Sequence, residues 1–337
     1  MNNNSIVTVV MAVYNASKTL HRAIDSLINQ TYSNWLLICV NDGSTDNSLE
    51  ILQQYALNDP RIKVLSQKNG GPAAARAKAY EIVSTPYAII LDSDDTYSSD
   101  LLECLTETAL RTHADAIVPN VKVEQTDGSF MDWNQTFHFH AGMEMKGEEA
   151  FSRTLIRASM HGKNMWKSEL IRLFALNNNA TYNRINADEY IQRLLFLNCK
   201  KIVFSNGTYY YRRNKNSITQ KYSLRHLGYL DTCRKLIALI PEYHLTHHTA
   251  SIIKELYFRH IIHLQIRLYS DGKDLNTEER KEMKQAIKAA YMDAMAYKND
   301  FQFKEKRMPN LYKMASTNGY ILFCLTCSIF AKYKKHQ

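Results

Sequence analysis

The chain of 337 residues contains no apolar run of the roughly 18 residues needed to span a bilayer, so no transmembrane helix is expected. Its 11 glycines and 6 prolines are too few for a collagen-like or low-complexity chain. The six cysteines, Cys39, Cys104, Cys199, Cys233, Cys324 and Cys327, show no framework spacing, and the N-terminus lacks the basic segment of a secretory signal. Reduced thiols and a cytoplasmic location are the expectation. What is present is ordinary globular composition, 45% hydrophobic and 22% charged, in a chain about twice the length of one average domain. Two domains, or one large domain with an extension, follow. The formal net charge of +9 points to an anionic partner: nucleic acid, a membrane surface or a phosphate-bearing substrate.

Up to Asp95 the chain alternates between two periodicities. Residues 6–11 form a β-branched run too short for a buried helix and read as a strand. Residues 17–30 place Leu20, Ala23, Ile24, Leu27 and Ile28 on one helical face. A strand over 36–40 ends in the turn residues Asn41, Asp42, Gly43 and Ser44. A helix over 46–56, a strand over 62–65, a helix over 72–83 opened by Pro72 and a strand over 87–91 complete the series. Continuous apolar strands alternating with helices predict an α/β fold with a mainly parallel, Rossmann-like central sheet covered on both faces. Ligands of such sheets sit beyond the carboxyl ends of the strands. The polar clusters 14–15, 41–46, 68–71 and 92–95 all fall at those ends.

Beyond residue 96 the pattern weakens. A helix is expected over 101–112, and a strand over 116–124 whose Pro119 suits an edge or a bulge. Residues 126–145 carry no clear period. Helices over 148–156, 168–176 and 188–197 precede a strand over 201–205 and an aromatic strand over 208–213, and residues 224–299 read as helix throughout. The expected organisation is an α/β domain over 1–220 and an α-helical C-terminal region over 221–337.

Asp92, Ser93, Asp94 and Asp95 put three carboxylates within four residues, which repel unless a cation or donors compensate. Mg²⁺ and Mn²⁺ take oxygen ligands and are often shared with substrate phosphates. A solvated turn capping a helix near Ser98 is the plainer reading, but the position beside three other polar loops favours a metal site. Lys68, Asn69, Gly70, Gly71 and Pro72 lead into a helix whose N-terminus offers free N–H groups to phosphate. Arg76, one turn in, adds a planar fork, unless it lies on the solvated face of that helix.

These stretches carry a resemblance. Residues 9–15 ending in Ala12, Val13, Tyr14 and Asn15, residues 40–46, Asn69-Gly70-Gly71 with Ala74-Ala75-Arg76, and Leu91-Asp92-Ser93-Asp94-Asp95 resemble, in order and spacing, the successive motifs of family 2 glycosyltransferases. The likeness is strong over residues 5 to about 105, weak over 150–220, and does not reach the C-terminal third. It implies a GT-A fold for 1–220 and inverting transfer of a sugar from a nucleotide diphosphate sugar, usually UDP-linked. It also implies that the backbone at Ala12 and Val13 and the ring of Tyr14 hold the base, and that Asp42 hydrogen-bonds the uracil. Arg76 would stabilise the nucleotide pocket, Asp92 and Ser93 would lie by the ribose, and Asp94 would bind the Mn²⁺ or Mg²⁺ bridging the diphosphate. Such an ion neutralises charge that grows on the leaving group.

Inversion needs a base for the acceptor hydroxyl's proton. The family usually supplies it from a Glu-Asp pair opening a helix about a hundred residues past the acidic motif. Asp188 and Glu189 stand there in reversed order. Glu189 is preferred, with Asp188 the alternative, and acids favoured by a helix N-terminus are the plainer reading. His161 and Trp166 occupy a stretch where the family often places acceptor-side residues. His161 would hydrogen-bond a hydroxyl, and Trp166 would either stack on a sugar or anchor the sheet as a buried ring. Tyr209, Tyr210 and Tyr211, followed by Ser217, Ile218 and Thr219, resemble the strand and loop that end the family's domain.

Residues 320–331 are apolar nearly all round, and as a helix would be about 18 Å long, short of a bilayer core of about 30 Å. Residues 301–337 hold seven Lys or Arg (304, 306, 307, 313, 332, 334 and 335) against Glu305, a net +6. Apolar and basic signals together suit an anionic membrane surface, and a final buried helix is the alternative. The expectation is therefore a metal-dependent inverting glycosyltransferase, peripheral on the cytoplasmic face of the membrane. It would use a UDP-sugar and a glycan or lipid-linked acceptor in surface polysaccharide or lipopolysaccharide synthesis, and its helical region would leave room for a homodimer interface. A nucleotide-sugar-binding protein of the same fold without transfer activity is the alternative. Nucleic-acid binding is disfavoured: the excess charge sits in the tail, the expected cleft is acidic, and no RNP, KH or zinc signature occurs.

Overall fold

The computed structural model describes residues 5–155, 159–176, 186–213, 222–303, 315–316 and 319–334. Two compact units emerge, one of Met1–Asn183 and Ala187–Lys215, the other of Arg184–Asn186 and Asn216–Gln337. The expected boundary near residue 220, the stretch 217–219 and the basic residues 304, 306, 307, 313 and 335 lie outside the described residues.

The first unit is built on a ten-stranded mixed sheet in the order β3-β2-β1-β4-β9-β6-β10-β5, with β7 beside β6 and β8 beside β10. The strands are β1 (Val7–Val13), β2 (Trp35–Asn41), β3 (Ile62–Ser66), β4 (Tyr87–Ile90), β5 (Thr96–Tyr97), β6 (Ala116–Glu124), β7 (Phe130–Asp132), β8 (Glu144–Met145), β9 (Met165–Lys167) and β10 (Ile202–Tyr211). The longer pairings, β1 with β2 and β4, β2 with β3, and β6 with β10, are parallel. β9 runs antiparallel between β4 and β6, so the sheet is α/β in its first half and mixed beyond. The crossover helices are α1 (Leu20–Ile28), α2 (Ser48–Asn58) and α3 (Pro72–Tyr80), and α4 (Leu101–Thr112) follows β5. Val9, Met11, Leu37 and Ile89 of the sheet pack with Leu20, Ile24 and Leu27 of α1 in one fully buried core.

Pro119 does not make β6 an edge strand: β6 lies inside the sheet. Its register against β10 shifts between Phe204 and Thr208, β9 reaches only to Ile117, and β7 pairs only from Lys122. The missing N–H therefore falls where the ladder is already interrupted. The two strands expected over 201–205 and 208–213 are one bulged strand, β10. At the bulge a Cβ on Gly207 would lie 2.8 Å from Leu101 Cα, so only glycine lets β10 approach α4 this closely.

The second unit is helical, with Gly228–Glu242, His247–Ser270, Thr277–Ala294 and Gly319–Lys334 as its main helices. The last of these buries Phe323, Cys327 and Ala331 and exposes Ile321, Leu322, Leu325 and Ile329. Among the described residues no helix is long and apolar enough to cross a membrane.

Candidate active site

Val13 pairs with Asn41, and the Asp42 N–H donates to the Val13 carbonyl at 2.8 Å, so β1 and β2 end side by side. Val13 is buried and Ala12 half-buried at the strand end, with Tyr14 half-exposed just beyond. Asn15 has φ 49°, a left-handed conformation that asparagine tolerates. Its Oδ1 accepts the Thr45 N–H at 2.8 Å and its N–H donates to Ser44 Oγ at 3.1 Å, which ties the first two loops together.

Asp42 is 2% exposed, yet its carboxylate is not alone. Oδ1 accepts from Gln67 Nε2 at 2.8 Å and from the Gly70 N–H at 2.9 Å, and Oδ2 accepts the Gly71 N–H at 2.8 Å. The negative charge thus organises the loop that opens α3, where the helix N-terminus favours it. In that helix Ala73, Ala75, Ala77 and Ala79 are buried, and small side chains allow it to lie close on β1 and β2. Arg76 is not on a solvated face. Its Nη2 donates to Asp92 Oδ1 at 3.0 Å, and its Nε is buried without a hydrogen-bond partner. Burial opposes the guanidinium charge, but Asp92 and Asp188 more than offset it and raise its pKa.

Asp92 is held from both sides. Lys163 Nζ donates to its Oδ2 and, at 3.2 Å, to Asp95 Oδ2. Asp95 is buried, accepting the Tyr209 hydroxyl at 2.7 Å and the Arg212 N–H at 2.7 Å. The ammonium also lies over the rings of Tyr209 at 4.9 Å and Tyr211 at 5.1 Å. Burial raises the Asp92 carboxyl, but Lys163 and Arg76 overcome it and hold the group below the usual range. For Asp95, burial and the neighbouring Asp92 prevail over Lys163 and push it up to about 6. The turn is pinned to the start of α1, since the Ser93 carbonyl accepts Thr19 Oγ1 at 2.8 Å and the Asp94 carbonyl accepts Arg22 Nη2 at 2.9 Å.

Among the described residues no group of three or more His, Cys, Asp or Glu side chains is placed to hold a metal by itself. Asp94, partly exposed in the same turn, carries a hard oxygen donor. Mg²⁺-type ions are commonly held by one or two carboxylates plus substrate phosphates. A substrate-shared ion therefore fits this donor set, whereas an all-protein metal cage does not.

His161 Nδ1 accepts the Lys163 N–H at 3.3 Å, and Nε2 is buried without a partner. Burial lowers its pKa to about 3, so the ring is neutral. Trp166 departs from the sugar-stacking expectation. It sits in β9 between Ala88 and Ala116, 3% exposed, with its ring edge-on to Phe196 at 4.8 Å. It is the buried anchor. From the same segment Lys163, not Trp166, reaches the acidic turn, and nothing in its local sequence distinguishes it from a surface lysine.

The helix Ala187–Leu197 carries Asp188 and Glu189 in its first turn and buries Tyr190, Ile191, Leu194, Leu195 and Phe196. Asp188 is exposed and acts electrostatically on Arg76. Glu189 is half-buried and pairs with Arg193 at 3.3 Å. Arg193 is anchored by its Nη2 on the Thr154 carbonyl at 3.0 Å. Burial raises the Glu189 carboxyl, Arg193 opposes it, and Asp188 adds to it.

Residues 8–174 match the sequence model of Glycosyl transferase family 2. Glycosyltransferase GlyG of Streptococcus pneumoniae is 30% identical over 226 residues, covering 64% of this chain and 73% of that protein. Glycosyltransferase GlyA of the same organism is 28% identical over 232 residues, covering 64% of this chain but only 32% of its own length. The cholesterol galactosyltransferase of Borreliella burgdorferi is 29% identical over 215 residues, 60% of this chain and 59% of that protein. The crystal structure of S. aureus TarS 1-349 in complex with UDP-GlcNAc superposes with a TM-score of 0.70 at 17% identity, covering 98% of this chain and 92% of that one. That likeness shows the fold.

Proposed function

Because the chain belongs to glycosyl transferase family 2, we propose that it moves a sugar from a UDP-sugar to a hydroxyl of a glycan or lipid-linked acceptor, with inversion at the anomeric carbon. The observation that carries this reading is the cluster of Arg76, Asp92, Lys163 and Asp95 at the carboxyl edge of the parallel strands, with the buried Arg76 Nε lacking a partner. An unpaired buried guanidinium N–H is costly unless an oxygen of a bound molecule completes it. The UDP-GlcNAc complex of the TarS fold relative supports the choice of donor class.

In this reading the backbone at Ala12 and Val13 and the ring of Tyr14 hold the base. Asp42 Oδ2 retains acceptor capacity beyond the Gly71 N–H for the uracil. Asp92 and Ser93 lie by the ribose. Asp94 would be the protein's ligand to a Mn²⁺ or Mg²⁺ ion, which would supply charge neutralisation on the departing UDP. Glu189 takes the acceptor hydroxyl's proton as the new C1–O bond forms on the face opposite the leaving diphosphate. The C1–O bond to phosphate breaks, and its electron pair leaves with UDP. A carboxyl raised by burial is suited to that task, because a general base works best with a pKa near the working pH. Asp188 steadies Arg76, and His161, a neutral ring beside Lys163, is the acceptor-side candidate.

Attachment to the cytoplasmic face of a membrane is supported by the exposed Ile321, Leu322, Leu325 and Ile329, followed in sequence by Lys332, Lys334 and Lys335. The test of the donor site is calorimetric titration of UDP with Mn²⁺, with Mg²⁺ and with chelator, alongside Asp94→Asn. Metal-dependent micromolar binding lost in the variant is expected. No binding of UDP under any condition would sink the donor assignment.

A further inference from the structure

The acidic turn brings its own cation. Lys163 arrives from the segment before β9, 71 positions from Asp92 in sequence, and its side chain is only 16% exposed. Two of its donors go to Asp92 Oδ2 and Asp95 Oδ2, while the faces of Tyr209 and Tyr211 cover the ammonium. The outer edges of both carboxylates are also occupied, Asp92 Oδ1 by Arg76 Nη2 and Asp95 Oδ1 by the Arg212 N–H. Two carboxylates, Asp95 buried and Asp92 partly so, therefore face two mostly buried cations. A second cation placed between Asp92 and Asp95 would have to expel the ammonium, leaving it buried against two rings with no carboxylate. A lysine suits this place because it is a compact point charge with three donors, where arginine would present a planar fork.

Building on the donor-site reading, we propose that Lys163 is the resident counter-cation and positioning residue of that site. It fixes Asp92 toward the ribose and closes the Asp92–Asp95 pair to a free divalent ion. Metal then enters only together with the nucleotide, through Asp94 and the diphosphate. The order of binding is in this way written into the side chain of one lysine, not into a preformed metal cage.

The test is Mn²⁺ binding followed by the electron paramagnetic resonance of the free aqueous ion, with and without UDP. The full chain is compared with Lys163→Met, which keeps the stem and removes the charge, and with Lys163→Arg, which keeps the charge. Without UDP the wild type should bind Mn²⁺ weakly and Lys163→Met roughly tenfold more tightly, because two carboxylates are released as ligands. Lys163→Arg should keep the wild-type weakness. With UDP the wild type should take up about one ion per chain, while Lys163→Met should bind the nucleotide less tightly in chelator. A purely structural lysine would lower the melting temperature without opening a nucleotide-free ion site. Equal nucleotide-free Mn²⁺ binding by wild type and Lys163→Met overturns the counter-cation while leaving the donor site standing. So does wild-type binding that is as tight without UDP as with it. If Lys163→Met does not fold, tighter nucleotide-free binding by Lys163→Arg than by wild type is the overturning result. Failure of the wild type to bind UDP at all overturns the donor-site reading, and the nucleotide-linked entry of metal falls with it.

Discussion

Asp42→Asn is the substitution whose effect the geometry fixes most closely. The native carboxylate accepts three hydrogen bonds, from Gln67 Nε2 and the Gly70 and Gly71 N–H groups, in a site closed to water. An amide of the same shape keeps one acceptor oxygen and turns an NH₂ group toward the third donor. One buried N–H is left facing another donor, costing about 1–3 kcal/mol, and the two remaining bonds lose their charge assistance. Removal of an anion from the start of α3 adds several tenths of a kcal/mol. Together this comes to about 3 kcal/mol, or a fall of roughly 6–12 °C in Tm for a unit of this size. Gln67→Ala removes one donor and should cost about 1 kcal/mol. The double variant should cost less than the sum, since both changes act on one carboxylate. Thermal unfolding by circular dichroism without ligand measures all three. A Tm within a degree of wild type for Asp42→Asn, accompanied by weaker UDP binding, would refute the clamp and leave Asp42 as a ligand contact alone.

Glu189→Gln should lower kcat by roughly 10²–10⁴ while UDP affinity stays nearly constant, and equal losses in both would place Glu189 in binding instead. Since the base must be unprotonated and its folded pKa is raised, activity should fall as pH drops through a value above that of an ordinary glutamate. Arg193→Gln should move this limb upward, because Arg193 opposes the rise. Gly207→Ala should destabilise by about 1–3 kcal/mol in denaturant unfolding, because the new Cβ meets Leu101 backbone atoms at 2.8 and 2.9 Å. The pair Leu325→Ser and Ile329→Ser lies on the exposed side of the last helix. It should leave Tm nearly unchanged and reduce sedimentation with anionic-lipid vesicles severalfold, and unchanged sedimentation would rule out that face as the membrane contact.

The first half of the sheet was readable because its strands are short, doubly covered and apolar from end to end, and because each polar loop follows its strand directly in sequence. The second half was not. β9 is three residues long, too short to show a periodicity of its own between β4 and β6. The bulge that joins 201–205 and 208–213 into one strand depends on how Gly207 meets α4, which is a tertiary fact. Pro119 does mark an irregularity, and an interior strand can carry one where its neighbours stop short. The apolar residues of the last helix run nearly all round in sequence, which leaves both a buried and a membrane-facing helix open. Phe323, Cys327 and Ala331 are buried as a packed helix requires, while Leu325 and Ile329 of the same helix are exposed, a split that an all-apolar string does not encode.

A motif is a string, whereas a charged site is a balance of charges in space. The three aspartates of 92–95 were visible as a demand for positive charge, and a divalent ion was the economical answer within reach of the string. In the fold that demand is met for Asp92 and Asp95 by Arg76, 16 residues before Asp92, and by Lys163, far after it, with Tyr209 closing the group from β10. The sign of the missing partner was therefore legible, and its identity was not. Only the sheet order that sets β9 beside β4 brings position 163 to the acidic turn. The consequence for chemistry is that two of the three carboxylates are held in place before any substrate arrives, as preorganised electrostatics requires.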